Sequence, residues 1–163
     1  MRKIKLPLTK DIIKRLKPGE WVLLSGPVLT ARDAAHKRMV DALASGRKLP
    51  FSIKGETIYY TGPTPAKKGE IIGACGPTTS SRMDSFTPAL LKHGLLGMIG
   101  KGERSQDTTL AIKKYGAVYF VTVGGAGAYL SEKVRSNVLV AYKDLGTEAV
   151  RRLIIEDFPA IVS

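Results

Sequence analysis

The sequence predicts an α/β domain with a mixed sheet and flanking helices, and three observations predict it. Strand-like and helix-like stretches alternate after residue 70, whereas residues 49–76 are rich in turns and in β-branched and aromatic residues. Hydrophobic residues at 44% and charged residues at 25% match ordinary globular usage. A length of 163 residues suits one packed core rather than two, so residues 1–163 are expected to form a single domain.

Taken in order, IKLPL reads as a short extended segment, and Thr9 as the N-cap of a helix through TKDIIKRLK that stops at Pro18-Gly19. EWVLLSG reads as a buried strand. Thr30 is expected to cap ARDAAHKRMVDALASG, whose Ala34, Met39, Val40 and Leu43 fall on one helical face before Gly46. LPFSIKGETIYYTGPTPAKKGEIIGACG is expected to give short strands broken at Gly55 and Gly62-Pro63, with EIIGAC as the last of them. SFTPALLKHG is a helix with Pro88 tolerated in its first turn, LGMIG a strand, and SQDTTLAIKKYG a capped helix closed by Gly116. AVYFVTV has the strongest strand character in the chain. GGAGAYLSEKV is small and flexible enough for close backbone approach, and VLVAYK and VRRLIIEDF supply two further strands.

The formal net charge of +12 suits a polyanion, a small dianion or an acidic subunit. Its distribution narrows the choice. Residues 1–20 hold seven Lys/Arg against two acids, but residues 131–163 hold five of each, so the N-terminal region is basic and the domain as a whole is not. Aromatics are 7% of the chain and are not interleaved with the basic positions, which argues against an RNA-stacking module. The lone Cys75 excludes an intrachain disulfide and any cysteine-only metal cage built by one chain. MRKIKLPLTK lacks the apolar core of a signal peptide and no apolar run approaches a membrane span, so a cytoplasmic protein is expected.

Three stretches carry chemistry. GPTTSSRMD (76–84) follows an expected strand and precedes a helix, a setting in which backbone N–H groups and hydroxyls gather around anions. Arg82 adds a planar fork that can hold a carboxylate through two parallel hydrogen bonds. The plain alternative is a helix cap with Arg82 in solvent. SGPVLTARDAAH repeats this grammar, with Arg32 at the mouth of a helix where positive charge is mildly unfavourable for structure alone. In MIGKGERS, Lys101 stands between Gly100 and Gly102, which leave its ammonium unobstructed; an ordinary exposed lysine in a glycine turn has the same pattern. GGAGA lacks the dinucleotide-binding spacing, His36 and His93 read as helix-surface residues, and Cys75 reads as a small buried residue.

GPTTSSRMD, followed by LLGMIGKGE and VYFVTVGGAGA, resembles the β subunit, or C-terminal domain, of the class I iron–sulfur fumarate hydratase and L-tartrate dehydratase family. The similarity runs from SGPVLTARDAAHKRM to DLGTEAVRRLIIEDFPAIV. The resemblance implies a swivelling β/β/α-type domain that pairs with an α subunit, in an α2β2 assembly. The α subunit of that family carries a 4Fe–4S cluster on three cysteines, a division of labour that a chain with one cysteine matches. The implied chemistry is reversible trans addition of water across the double bond of a C4 dicarboxylate, fumarate or, as the close alternative, the tartrate reaction. A non-catalytic carboxylate-binding regulatory module is the alternative from another class. Carried over by motif, the substrate-binding residues are Arg32, Arg82 and Lys101, and the threonine near proton transfer is Thr78, with Thr79 beside it. Where many relatives have KGN this chain has Lys101-Gly102-Glu103, which leaves the lysine and removes the asparagine.

Overall fold

The computed structural model describes residues 1–163. Seven strands, β1 (Arg2–Lys5), β2 (Trp21–Thr30), β3 (Thr57–Tyr59), β4 (Gly97–Gly100), β5 (Val118–Val121), β6 (Val134–Ala141) and β7 (Val150–Val162), form one mixed sheet. Helices α1 (Lys10–Arg15), α2 (Asp33–Ala44), α3 (Thr87–Lys92), α4 (Gln106–Lys114) and α5 (Gly127–Ser131) lie between them in sequence. β2, β3, β4 and β5 pair in parallel, and β7 runs antiparallel to both β5 and β2. Five strands therefore close on themselves as a small barrel, which leaves no free edge in that ring. β1 adds in parallel to the first half of β2, and β6 pairs with the first half of β7.

Alternation along the strands separates two apolar clusters. Tyr59, Ile99, Val118, Phe120, Leu153 and Phe158 fill one, where Tyr59 and Phe158 meet edge to face at 5.2 Å. Ile58, Met98 and Tyr119, one residue out of phase, pack with Met39 of α2 and with Leu90 and Leu91 of α3 in the other. Burial of each large side chain is worth about 2–3 kcal/mol, so both faces of the parallel strands are strongly specified. No helix is long and apolar enough to cross a membrane.

The local signals form as expected at several ends. Thr9 accepts the N–H of Ile12, Ser105 accepts that of Thr108, and Gly116 takes the left-handed conformation (φ +64°) after α4. Four expectations are corrected. α1 ends at Arg15 rather than Lys17, because the residue before Pro18 disfavours helix and Leu16 is already extended. Gly26-Pro27 lies within β2 and is no corner: it sits at a register shift against β7, between the part of β2 that pairs β1 and the part that pairs β3. Thr30 does not cap α2; its hydroxyl donates to the Ala149 carbonyl and accepts from the Arg151 N–H, while Glu148 accepts from Ala34 N–H in the first turn. EIIGAC forms no strand. It belongs to an irregular segment pinned by Thr64–Ala74 hydrogen bonds and by Cys75 N–H to the Gly127 carbonyl, with Ile72 and Cys75 buried beneath it.

Candidate functional site

The expected site residues gather at the carboxyl ends of the parallel strands, the position at which α/β sheets present loops to ligands. Where β2 ends, Ala31 N–H donates to Tyr59 O (3.2 Å) and Arg32 becomes the N-cap of α2. Where β3 ends, Tyr60 O accepts from Thr78 N–H (2.7 Å). Thr78 O in turn accepts from Lys101 N–H (3.4 Å), Thr79 pairs in parallel with Lys101, and Ser80 N–H donates to Lys101 O (2.9 Å). Residues 78–80 thus wedge between the ends of β3 and β4. Gly100 makes this possible, since Ser80 Oγ and the Tyr60 ring occupy the space a Cβ would need.

A 3₁₀ turn, Ser80–Met83, follows the wedge and projects Arg82 toward α2. Arg82 donates from Nε (3.0 Å) and Nη2 (2.8 Å) to Asp33 Oδ2, and the pair is partly exposed at 49% and 39%. Because Asp33 follows Arg32 in sequence, one carboxylate links the two arginine corners. The Nη1 side of the Arg82 fork is left for another acceptor. Arg32 runs past Gly62, whose missing Cβ would stand 2.8 Å from Arg32 Cδ, and its buried Nε has no hydrogen-bond partner in the chain. A buried guanidinium N–H without an acceptor is costly, and a bound anion would satisfy it. Lys101 extends along Gly124, where a Cβ would come within 3.1 Å of its Cδ. The GGAGA stretch therefore serves for close backbone approach to the lysine and, through Gly127, to Gly76 at the head of the threonine turn.

The structure thus brings Thr78 and Lys101 together through the backbone, and ties Arg82 to Asp33, the residue that follows Arg32. Asp33 binds Arg82 through Oδ2, its buried Oδ1 having no partner in the chain, and Asp84 binds Arg104. Cys75 is buried, and burial pushes its thiol up to about 11, the reverse of a reactive thiolate. No three His, Cys, Asp or Glu side chains are grouped to hold a metal ion. With one buried cysteine, the residues of this chain do not fit an iron–sulfur cluster.

His36 corrects the surface reading. It is fully buried in α2, with Nδ1 2.8 Å from the Arg32 carbonyl, so Nδ1 carries the proton and donates. Its ring packs against Tyr60 (5.3 Å) and Phe86 (5.9 Å), and burial lowers its pKa to about 4. Residues with no separate sequence signal also matter here: Asp33, hidden as the acid after an arginine, Gly62, the half-buried Asp84 and the enclosed side chain of Arg104.

A family model described as the fumarase C-terminus matches residues 1–163. The chain is 40% identical over 141 residues to the anaerobic class I fumarate hydratase of Escherichia coli, and 41% identical over 141 residues to mitochondrial fumarate hydratase 1 of Leishmania major. Each match covers 85% of this chain and 26% of the relative, so the chain spans about a quarter of the length of these enzymes. A Methanocaldococcus jannaschii protein named "Putative L(+)-tartrate dehydratase subunit beta" is 36% identical over 162 residues, covering 96% of this chain and 83% of the relative.

Proposed function

This chain belongs to the fumarase C-terminal family of hydro-lyase domains, and we propose that it is the β subunit of a two-subunit class I enzyme that hydrates fumarate reversibly to malate. Its role in that reading is to hold the substrate carboxylate remote from the cluster. The 4Fe–4S cluster belongs to a partner α subunit, active with this chain in an α2β2 assembly.

The observation that supports this reading is that the segments bearing Arg32, Thr78, Arg82 and Lys101 adjoin at one end of the barrel, through the Thr78–Lys101 backbone bond and the Asp33–Arg82 ion pair. Loss of a C–H proton next to a carboxylate builds an aci-carboxylate with more negative charge than the ground state. Fixed cations bind that species more tightly than the substrate, which is the condition for catalysis. Arg32 and Arg82 give direction as well as charge, and Lys101 adds a compact charge from the adjoining strand end. Thr78 lies beside the path of the proton. A neutral hydroxyl is a weak base, and Asp33 and Asp84 already bind Arg82 and Arg104, so a carboxylate from the partner shares the proton transfer.

A second reading, the β subunit of an L-tartrate dehydratase, is favoured by the near full-length match to the Methanocaldococcus jannaschii protein. Both are tested by mixing this chain anaerobically with a cluster-reconstituted α partner and assaying fumarate and L-tartrate in parallel. Turnover of fumarate only when both chains are present is the expected result. Turnover of tartrate alone selects the second reading, and activity of either chain by itself contradicts the division of the site.

A further inference from the structure

Arg104 is a cation with 2% of its side chain exposed, and Asp84, its partner at 2.7 Å, has 14% exposed. The pair is fully engaged. Asp84 Oδ1 accepts from Arg104 Nε and Oδ2 accepts from Ser105 N–H (2.8 Å). Arg104 Nη2 donates to Thr87 Oγ1 (2.9 Å) and to Tyr60 OH (3.3 Å), and the guanidinium lies over the rings of Tyr119 (4.8 Å) and Tyr60 (5.3 Å). Tyr119 OH adds a second clamp, standing 2.6 Å from Ser80 Oγ and 2.7 Å from Gly102 O.

These contacts join two turns. Asp84 and Ser80 bracket Arg82, while Gly102, Arg104 and Ser105 follow Lys101. A buried ion pair is weak evidence of stabilisation, because desolvation offsets most of the attraction and apolar residues of similar volume often serve as well. Its directional bonds are what an apolar pair cannot supply. We propose that Asp84 and Arg104 are positioning residues that fix the turn bearing Arg82 against the turn bearing Lys101, and so set the spacing at which the two cations meet a substrate carboxylate. This rests on the carboxylate-binding reading above.

The test is a titration of the full ¹⁵N-labelled chain with succinate, an unreactive C4 dianion, followed at each backbone amide. In the wild type, the amides of Thr78, Arg82 and Lys101 are expected to shift together with one Kd. In the double variant Asp84→Leu with Arg104→Met, which leaves no unpaired ion, the Arg82 and Lys101 responses should separate and the Kd should rise tenfold or more. A folded double variant with the wild-type Kd and coupled shifts overturns the proposal. Should that variant not fold, Arg104→Lys, which keeps the charge but loses the fork, is held to the same two criteria. Arg2→Lys, in the Arg2–Glu20 pair at the amino end of β2, should leave succinate binding unchanged. An equal loss there means general loosening and overturns the proposal. A wild-type chain with no saturable shifts contradicts the carboxylate reading itself, and this inference with it.

Discussion

Asp33 receives both the Nε and Nη2 hydrogens of Arg82 on a single oxygen, Oδ2, at 3.0 and 2.8 Å. An acid beside an anion site would repel the ligand if it were free. Here Oδ2 is held by the arginine and orients the fork, Oδ1 stays buried without a partner, and the first turn of α2 sets the position of the carboxylate. The two arginine corners, 50 residues apart in sequence, thereby behave as one unit.

Replacing Asp33 with Asn keeps the shape and removes the ionic hold. Both partners are partly exposed, so stability should change by about 1 kcal/mol or less. In the two-chain enzyme kcat/KM for fumarate should nevertheless fall by roughly fivefold, equivalent to about 1 kcal/mol. Wild-type kinetics in this variant would mean that Arg82 needs no orientation by Asp33.

Gly62→Ala inserts a methyl group 2.8 Å from Arg32 Cδ and 3.1 Å from Thr147 O. The arginine must move, at a stability cost of about 1–3 kcal/mol typical of overpacking. Steady-state kinetics should show at least a tenfold loss in kcat/KM with the fold retained by circular dichroism. A folded variant with undiminished kcat/KM would place Arg32 outside the site.

His36 gives a pH dependence with a definite sign. Burial holds it neutral down to about pH 4, helped by the nearby Arg104 charge, whereas an unfolded histidine takes up its proton near pH 6.5. Its effect on stability is thus constant above pH 6.5 and turns against the fold as pH falls from 6.5 to 4, by about 3 kcal/mol. Denaturant titrations at pH 4, 5, 6 and 7 should show this decline in the wild type and a shallower one in His36→Phe, whose ring can still pack on Tyr60 and Phe86. Parallel curves for the two proteins would show that His36 does not titrate in this window.

The parts of the fold written locally were legible in the sequence. The caps at Thr9 and Ser105, Pro88 in the first turn of α3 and the strand at 97–100 depend on neighbours within a few residues. EIIGAC misled because an apolar run with β-branched residues marks burial, and burial is what Ile72 and Cys75 have; strand pairing is a separate property that the run does not encode. Gly26-Pro27 misled in the same way, since a bulge that lets one strand change neighbours resembles a turn. The proximity of Thr78 to Lys101 and the bond from Arg82 to Asp33 depend on the crossover of parallel strands. Motif resemblance pointed to the four residues, but their grouping is tertiary. His36 looked like a surface residue, and Arg104 carried no signal, because only the packed structure shows which helix face and which turn are covered.

The central claim is that this chain supplies the cationic half of a hydro-lyase site, and Arg82→Lys tests it most directly. Lysine keeps the charge but cannot present two parallel donors to a carboxylate. Measured as kcat/KM for fumarate in the reconstituted two-chain enzyme, the loss should correspond to about 2–3 kcal/mol of transition-state binding. An unchanged kcat/KM would remove Arg82 from the site and contradict the account.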